Sequence, residues 1–156
     1  MTRGTVNHIG IATSSLDGSE ELWSKLGFSN SVDKVNEEQG VRIRYLHGSG
    51  DTRIELLEPL SEDTPVGRFI EKRGPGLQQI AIDVEDLDSM ISELIGIGVT
   101  MVSEEPVVGS DGVRVAFIHP SSAGGVLIEL VESAKRESSK RNRNSDHNDY
   151  FIGQIR

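Results

Sequence analysis

The hydrophobic pattern of this chain is written twice. "HIGIATSSLDGSEELWSKLG", from His8, and "QIAIDVEDLDSMISELIGIG", from Gln79, each open on a polar residue followed by an Ile-x-Ile alternation. A short polar turn, a run with helical spacing and a glycine stop come next, with Leu16-Asp17 matching Leu87-Asp88 and Leu26-Gly27 matching Ile97-Gly98 at a constant offset of 71. Period-2 alternation predicts a half-buried strand, and apolar residues three and four apart predict an amphipathic helix. Asp17 or Ser19 is positioned to cap the first helix, and Asp86 or Asp88 the second. Leu87, Met90, Ile91 and Leu94 form the apolar stripe of the second helix.

The repeat continues past the helices. "VRIRYLHG" and "DTRIELLEPL" follow the first, "GVRVAFIHP" and "GGVLIELVE" the second, with turn residues marking each pair as a hairpin. "IELLE" and "IELVE" correspond at an offset of 74, so a small insertion lies in an intervening loop. Further short strands are expected around residues 28–35 and 99–103. Each half therefore reads as a βαβββ module, at about 5–60 and 76–132, together forming an α+β domain over 5–134. Neither half is large enough to be secure alone, so the two should pack as a pair about a pseudo-twofold axis.

Composition narrows the function. The chain has 156 residues, no cysteine and a formal charge of -9, which excludes disulfides, zinc-thiolate sites and a cysteine nucleophile. Residues 135–156 carry six basic and three acidic side chains and are expected to be a polar, mobile tail, leaving ten basic against twenty-two acidic in the body. That acidic body argues against nucleic-acid binding. No apolar run reaches the length of a membrane span, and "MTRGTVNHIGIATSS" does not read as a signal peptide, so no membrane association and a cytoplasmic location are expected.

Four polar residues sit in otherwise apolar strands at repeat-related positions: His8 with Gln79, and Glu55 with Glu129. Singly, each glutamate is explained by a solvent-facing strand position. Their recurrence supplies one imidazole nitrogen, one amide oxygen and two carboxylates, a set able to surround a six-coordinate Mn, Co, Ni or Mg ion rather than a closed tetrahedral Zn site. Strict alternation turns Gln78 away from Gln79, to the other side of its strand, where it is expected to support the site or face the surface. His47, His119 and His147 read as structural or solvent-facing.

At "NHIGIATSSLD", "EEQGVRIRYL", "IELLEPLSEDTPVGRFIEKRGPGLQQIAIDVEDLD", "EEPVVGSDGVRVAFIHP" and "GGVLIELVE" the chain resembles the vicinal-oxygen-chelate (glyoxalase/bleomycin-resistance) superfamily, and within it the methylmalonyl-CoA epimerases. The resemblance runs from Val6 to Glu132. It implies a curved mixed sheet around a metal cup, a divalent cation held by His8, Glu55, Gln79 and Glu129, an acyl-CoA substrate and a homodimer. Epimerases carry histidine where this chain has Gln79. The further catalytic glutamate that some epimerases carry falls near Ile43, which moves no proton, while Glu37 and Glu38 lie upstream in a loop. Glu129 is therefore the candidate base for epimerisation beside the thioester, with the opposite-face acid unassigned. The alternatives are a glyoxalase-like isomerase or lyase on another small oxygenated substrate, and a protein that sequesters a ligand without turnover.

Overall fold

The computed structural model describes residues 4–108 and 113–133; the expected tail over 135–156 lies outside them. The repeated apolar pattern folds as two βαβββ modules in one mixed sheet. In the first, β1 (Thr5–Ala12) leads through a 3-10 turn into α1 (Glu20–Lys25). The short strands β2 (Ser29–Asn30) and β3 (Lys34–Asn36) follow, then the hairpin of β4 (Val41–His47) and β5 (Arg53–Pro59). Both short strands pair with β4 and act as one interrupted strand. The second module contains β6 (Gly76–Val84), α3 (Leu87–Gly96), β7 (Val107–Val108), β8 (Arg114–Ile118) and β9 (Leu127–Glu132). Here the strand expected at 99–103 is reduced to a single bridge between Met101 and Ile118.

The strand order is β2-β4-β5-β1-β6-β9-β8-β7, with β3 beside β4. β1 and β6 pair antiparallel at the centre, and each is flanked by a parallel partner, β5 or β9. This corrects the expectation of a sheet curved around a metal cup: the order is an open path whose end strands do not meet, so the sheet is neither closed nor curled. The physical reason is the β1–β6 ladder. Each module satisfies its exposed central edge on the other, which extends one sheet instead of setting two against each other.

One face of the sheet carries α1 and α3. The predicted stripe of α3 packs on Ile82, Ala116, Ile128 and Leu130, and Asp86 caps the helix by accepting from the Ser89 backbone N–H at 2.9 Å. Neither candidate cap serves α1: Asp17 opens the 3-10 turn and reaches Arg44, while the Ser19 hydroxyl donates back to the Ser15 carbonyl.

The opposite face carries α2 (Pro65–Arg73), a helix with no counterpart in the repeat. Its N-terminus is set locally: the Thr64 hydroxyl accepts from the Gly67 N–H at 3.1 Å, and Pro65 occupies the first turn. Gly74, with φ of 76°, ends it. A Cβ at Gly67 would stand 2.4 Å from the Ser61 carbonyl oxygen, so only glycine allows this close approach. Phe69 and Ile70 then pack on Ala12, Ile43, Tyr45 and Leu57. α2 thereby walls one side of the region in front of the central strands.

Candidate active site

Two bulges build the site. Along the β1–β6 ladder the register shifts once between Val6 and His8 and once between Gly10 and Ile11, which leaves Asn7 as an extra residue on β1 and Gln78 as an extra residue on β6. A bulge re-aims side chains that strict alternation would send to opposite faces. The two bulges occupy equivalent positions in the two modules, immediately before His8 and immediately before Gln79. Gln78, expected to turn away from Gln79 as either a supporting or a surface group, is buried like Gln79, which leaves the supporting alternative.

Sheet register brings all four predicted residues to one face. Gly10 of β1 is the register partner of both Glu55 and Gln79, while Ala81 of β6 is the partner of both His8 and Glu129. Gly10 matters for its missing side chain, since a Cβ there would lie 2.5 Å from Gln79 Cγ. His8, Glu55, Gln79 and Glu129 are all buried. His8 Nε2 lies 3.1 Å from Gln79 Nε2, 3.4 Å from Glu129 Oε2 and 3.7 Å from Glu55 Oε2.

Hydrogen bonding fixes how these groups face one another. Asn7 Nδ2 donates to Asp83 Oδ1 at 3.0 Å, which directs Asn7 Oδ1 toward His8 Nδ1, 2.9 Å away. An amide oxygen only accepts, so His8 carries its proton on Nδ1 and presents a lone pair at Nε2. Burial lowers the His8 pKa and keeps the ring neutral. The Gln79 amide N–H donates to that lone pair, which orients the amide. Arg53 also reaches this network, donating to Asn7 Oδ1 at 3.4 Å and to Glu55 Oε1 at 3.3 Å.

The carboxylates differ in their surroundings. Desolvation pushes the Glu129 pKa well above the ordinary carboxylate range, and both its oxygens are buried without a hydrogen-bond partner among the described residues. Burial also raises the pKa of Glu55; the Arg53 charge opposes the rise at both carboxyls and at Glu55 is joined by a hydrogen bond. Burial therefore favours the neutral acid at both carboxyls, most strongly at Glu129.

The expected divalent cation is corrected on the same geometry. The imidazole lone pair that a metal would need is taken by the Gln79 N–H. Gln79 turns its donor, not its oxygen, toward the centre of the set. Among the described residues no group of three or more His, Cys, Asp or Glu side chains is arranged to hold a metal ion. The four residues form a buried acid cluster in which the Gln79 amide is hydrogen-bonded to the imidazole.

Beside the cluster a cleft of about 560 Å³ opens between α2 and the turn before β9. Phe69, Pro120 and Leu127 give it apolar walls, Gln78 lies among its lining residues, and Arg68 and Lys72 make it basic. Of the other sequence candidates, Glu37 and Glu38 are exposed in the turn between β3 and β4, and Ile43 is buried beneath α2. Asn7 and Asp83 were not among the predicted site residues. The adjacent polar pairs Asn7-His8 and Gln78-Gln79, each opening an apolar strand, were the available signal.

Residues 7–117 match the model of the Glyoxalase/Bleomycin resistance protein/Dioxygenase superfamily. The chain belongs to that superfamily. Within it, the chain is 34% identical over 131 residues to the mitochondrial methylmalonyl-CoA epimerase of Dictyostelium discoideum, a match covering 83% of this chain and 78% of that one. The solved methylmalonyl-CoA epimerase of Mycobacterium tuberculosis superposes with a TM-score of 0.71 at 41% identity, covering 84% of this chain and 89% of its own. A methylmalonyl-CoA epimerase solved in complex with methylmalonyl-CoA and NH4+ gives a TM-score of 0.72 at 40% identity, covering 88% and 100% respectively. The ion in that complex is ammonium, which agrees with the correction of the divalent-metal expectation. No helix among the described residues is long and apolar enough to cross a membrane.

Proposed function

We propose that this chain is an epimerase of methylmalonyl-CoA, with Glu129 and Glu55 as its acid–base pair. The observation that carries the reading is the placement of two buried carboxylates, one from β5 and one from β9, on opposite sides of the central β1–β6 pair. Inverting a carbon beside a thioester requires a base on one face and an acid on the other. A pseudo-twofold site supplies one such group from each module.

The environments of the two carboxyls match those roles. Ionised Glu55, steadied by Arg53, removes the methine proton from one face. Glu129, kept protonated by burial, delivers a proton to the other, and the roles reverse for the opposite epimer. The electron pair released at the carbon delocalises onto the thioester oxygen, where the buried and partly desolvated setting strengthens any hydrogen bond it receives. His8 and Gln79 hold the two carboxyls apart and in register. Neutral His8 adds no positive charge that would pull the proton off Glu129.

Incubating one epimer of methylmalonyl-CoA with the protein and following conversion to the other tests this reading. Conversion above the enzyme-free rate is expected. Its absence, with the substrate shown to be intact, would overturn the reading.

A further inference from the structure

We propose that Arg53, with Lys34 and the Tyr45 ring, forms the subsite for the free carboxylate of the substrate and so selects malonyl-type thioesters over uncharged ones. This rests on the epimerase reading and names the residues that choose among thioesters. The carboxylate to be recognised is bonded to the carbon that inverts, so it must lie beside whichever carboxyl handles the proton.

Sheet register sets these groups beside Glu55. Tyr45 of β4 is the register partner of Glu55, and Arg53 of β5 is the partner of His8. Directly opposed side chains share a face of a sheet, as do residues two apart on one strand. The Arg53 guanidinium donates to Glu55 Oε1 at 3.3 Å and lies 5.9 Å from the centre of the Tyr45 ring. Its side chain is 19% exposed, while Tyr45 and Glu55 are buried. Burial dominates the pKa shifts of His8, Glu55 and Glu129, and the Arg53 charge acts to lower all three. Its field therefore covers the space between the two carboxyls, where the reacting carbon must sit.

That space is hostile to an anion without such a cation. A methylmalonyl thioester brings its carboxylate next to Glu55, in a buried setting where like charges repel strongly. A guanidinium carries five N–H donors in a planar fork and meets a carboxylate with two parallel bonds. Arg53 is thus able to keep Glu55 and to take the substrate's carboxylate beside it. An uncharged substituent on the same carbon would gain none of this.

Lys34 separates this role from a plain ion pair with Glu55. Its ammonium stands 5.5 Å from the centre of the same Tyr45 ring, placed there by the pairing of β3 with β4. Cation–π attraction favours each cation over the ring. Among the described residues no carboxylate comes within ion-pair distance of Lys34. Offsetting the charge of Glu55 calls for one cation, and Arg53 supplies it. A second cation at the same buried ring adds positive potential that Glu55 does not require. In a chain of formal charge -9, that pairing marks a place for a negative group of the ligand.

The test compares methylmalonyl-CoA with its carboxamide analogue, in which a CONH2 group replaces the carboxylate on the same carbon. Wild-type kcat/KM is expected to favour the carboxylate. Arg53→Met is expected to cut the carboxylate-to-carboxamide ratio by about tenfold or more, the scale of a lost hydrogen bond to a charged group. Taking the ratio removes the effects of Arg53 on Glu55 and Asn7, which both substrates share. Lys34→Met leaves the Arg53 bonds in place and is expected to lower the ratio by about threefold, through KM; an unchanged ratio there would remove Lys34 from the subsite. Calorimetric titration of both thioesters into Glu55→Gln/Glu129→Gln protein, with and without Arg53→Met, reads the same preference without turnover. An unchanged ratio together with an unchanged binding preference in the Arg53 variants would overturn the subsite and leave the epimerase reading intact. An Arg53-dependent preference for binding the carboxylate, with neither thioester epimerised by the wild type, would overturn the epimerase reading and support the subsite.

Discussion

Asn7 Oδ1 sits 2.9 Å from His8 Nδ1, and this contact decides what the rest of the site can do. Asp83 holds the Asn7 amide from the other side, so a carboxylate on β6 selects the imidazole tautomer on β1. The expected consequence is a His8 ring protonated on Nδ1 and unprotonated on Nε2 at neutral pH, visible in its 15N chemical shifts. Asn7→Leu removes the acceptor and is expected to release the ring to the other tautomer or a mixture, with kcat reduced about 10- to 100-fold, on the scale of misplaced catalytic groups. A variant that keeps the native tautomer and loses activity only through unfolding would contradict this role.

Gly10 leaves the space in which Gln79 lies. Adding one methyl group puts a Cβ 2.5 Å from Gln79 Cγ, so Gly10→Ala is expected to destabilise the fold by about 1 to 3 kcal/mol, as overpacking does. Removing the obstructed side chain as well should relieve the clash. In a double-mutant cycle with Gln79→Ala, the two losses of stability are expected to be strongly non-additive. Additive losses, measured by urea unfolding, would mean that Gly10 is needed for some other reason.

Glu129 stays protonated in the folded protein at pH values where it ionises in the unfolded chain. The folded state therefore binds more protons than the unfolded state, and the Glu129 contribution to stability is lost as pH rises from about 4.5 toward its raised folded pKa. Glu129→Gln removes that dependence. Relative to the wild type, the variant is expected to gain stability with rising pH, by up to about 1.4 kcal/mol per pH unit within that window. His8 shifts in the opposite sense and is present in both proteins, so it cancels in the difference. A difference in unfolding free energy that does not change from pH 5 to pH 7 would contradict the buried, protonated state.

Much of this was legible in the sequence, for identifiable reasons. Strands and the α3 stripe follow from periods of 2 and 3.6, and the pairings of His8 with Gln79 and Glu55 with Glu129 follow from the repeat. Gln78 was misdirected because alternation has no place for a bulge, although two polar residues in succession at equivalent strand starts marked both bulges. α2 was missed because it falls between the repeats and has no counterpart to align with. Its Thr64-Pro65 start and Gly74 stop are local signals only. The open sheet was not legible because the β1–β6 pairing is a property of two distant edges. A metal site and a buried acid cluster demand the same residue types. What separates them here is the Gln79 amide, whose N–H faces the His8 Nε2 lone pair across 71 positions of sequence.

The pairing of Glu55 with Glu129 as opposed acid and base is tested most directly by deuterium incorporation at the methine carbon. Each epimer is supplied separately in deuterated water, with an enzyme-free control because that proton is labile. The wild type is expected to interconvert the epimers and to place deuterium in the product. Glu129→Gln and Glu55→Gln are each expected to slow interconversion by about 100-fold or more, while each still exchanges the proton of one epimer, a different epimer in the two variants. Interconversion at the wild-type rate in either variant, or loss of exchange from the same epimer in both, would contradict it.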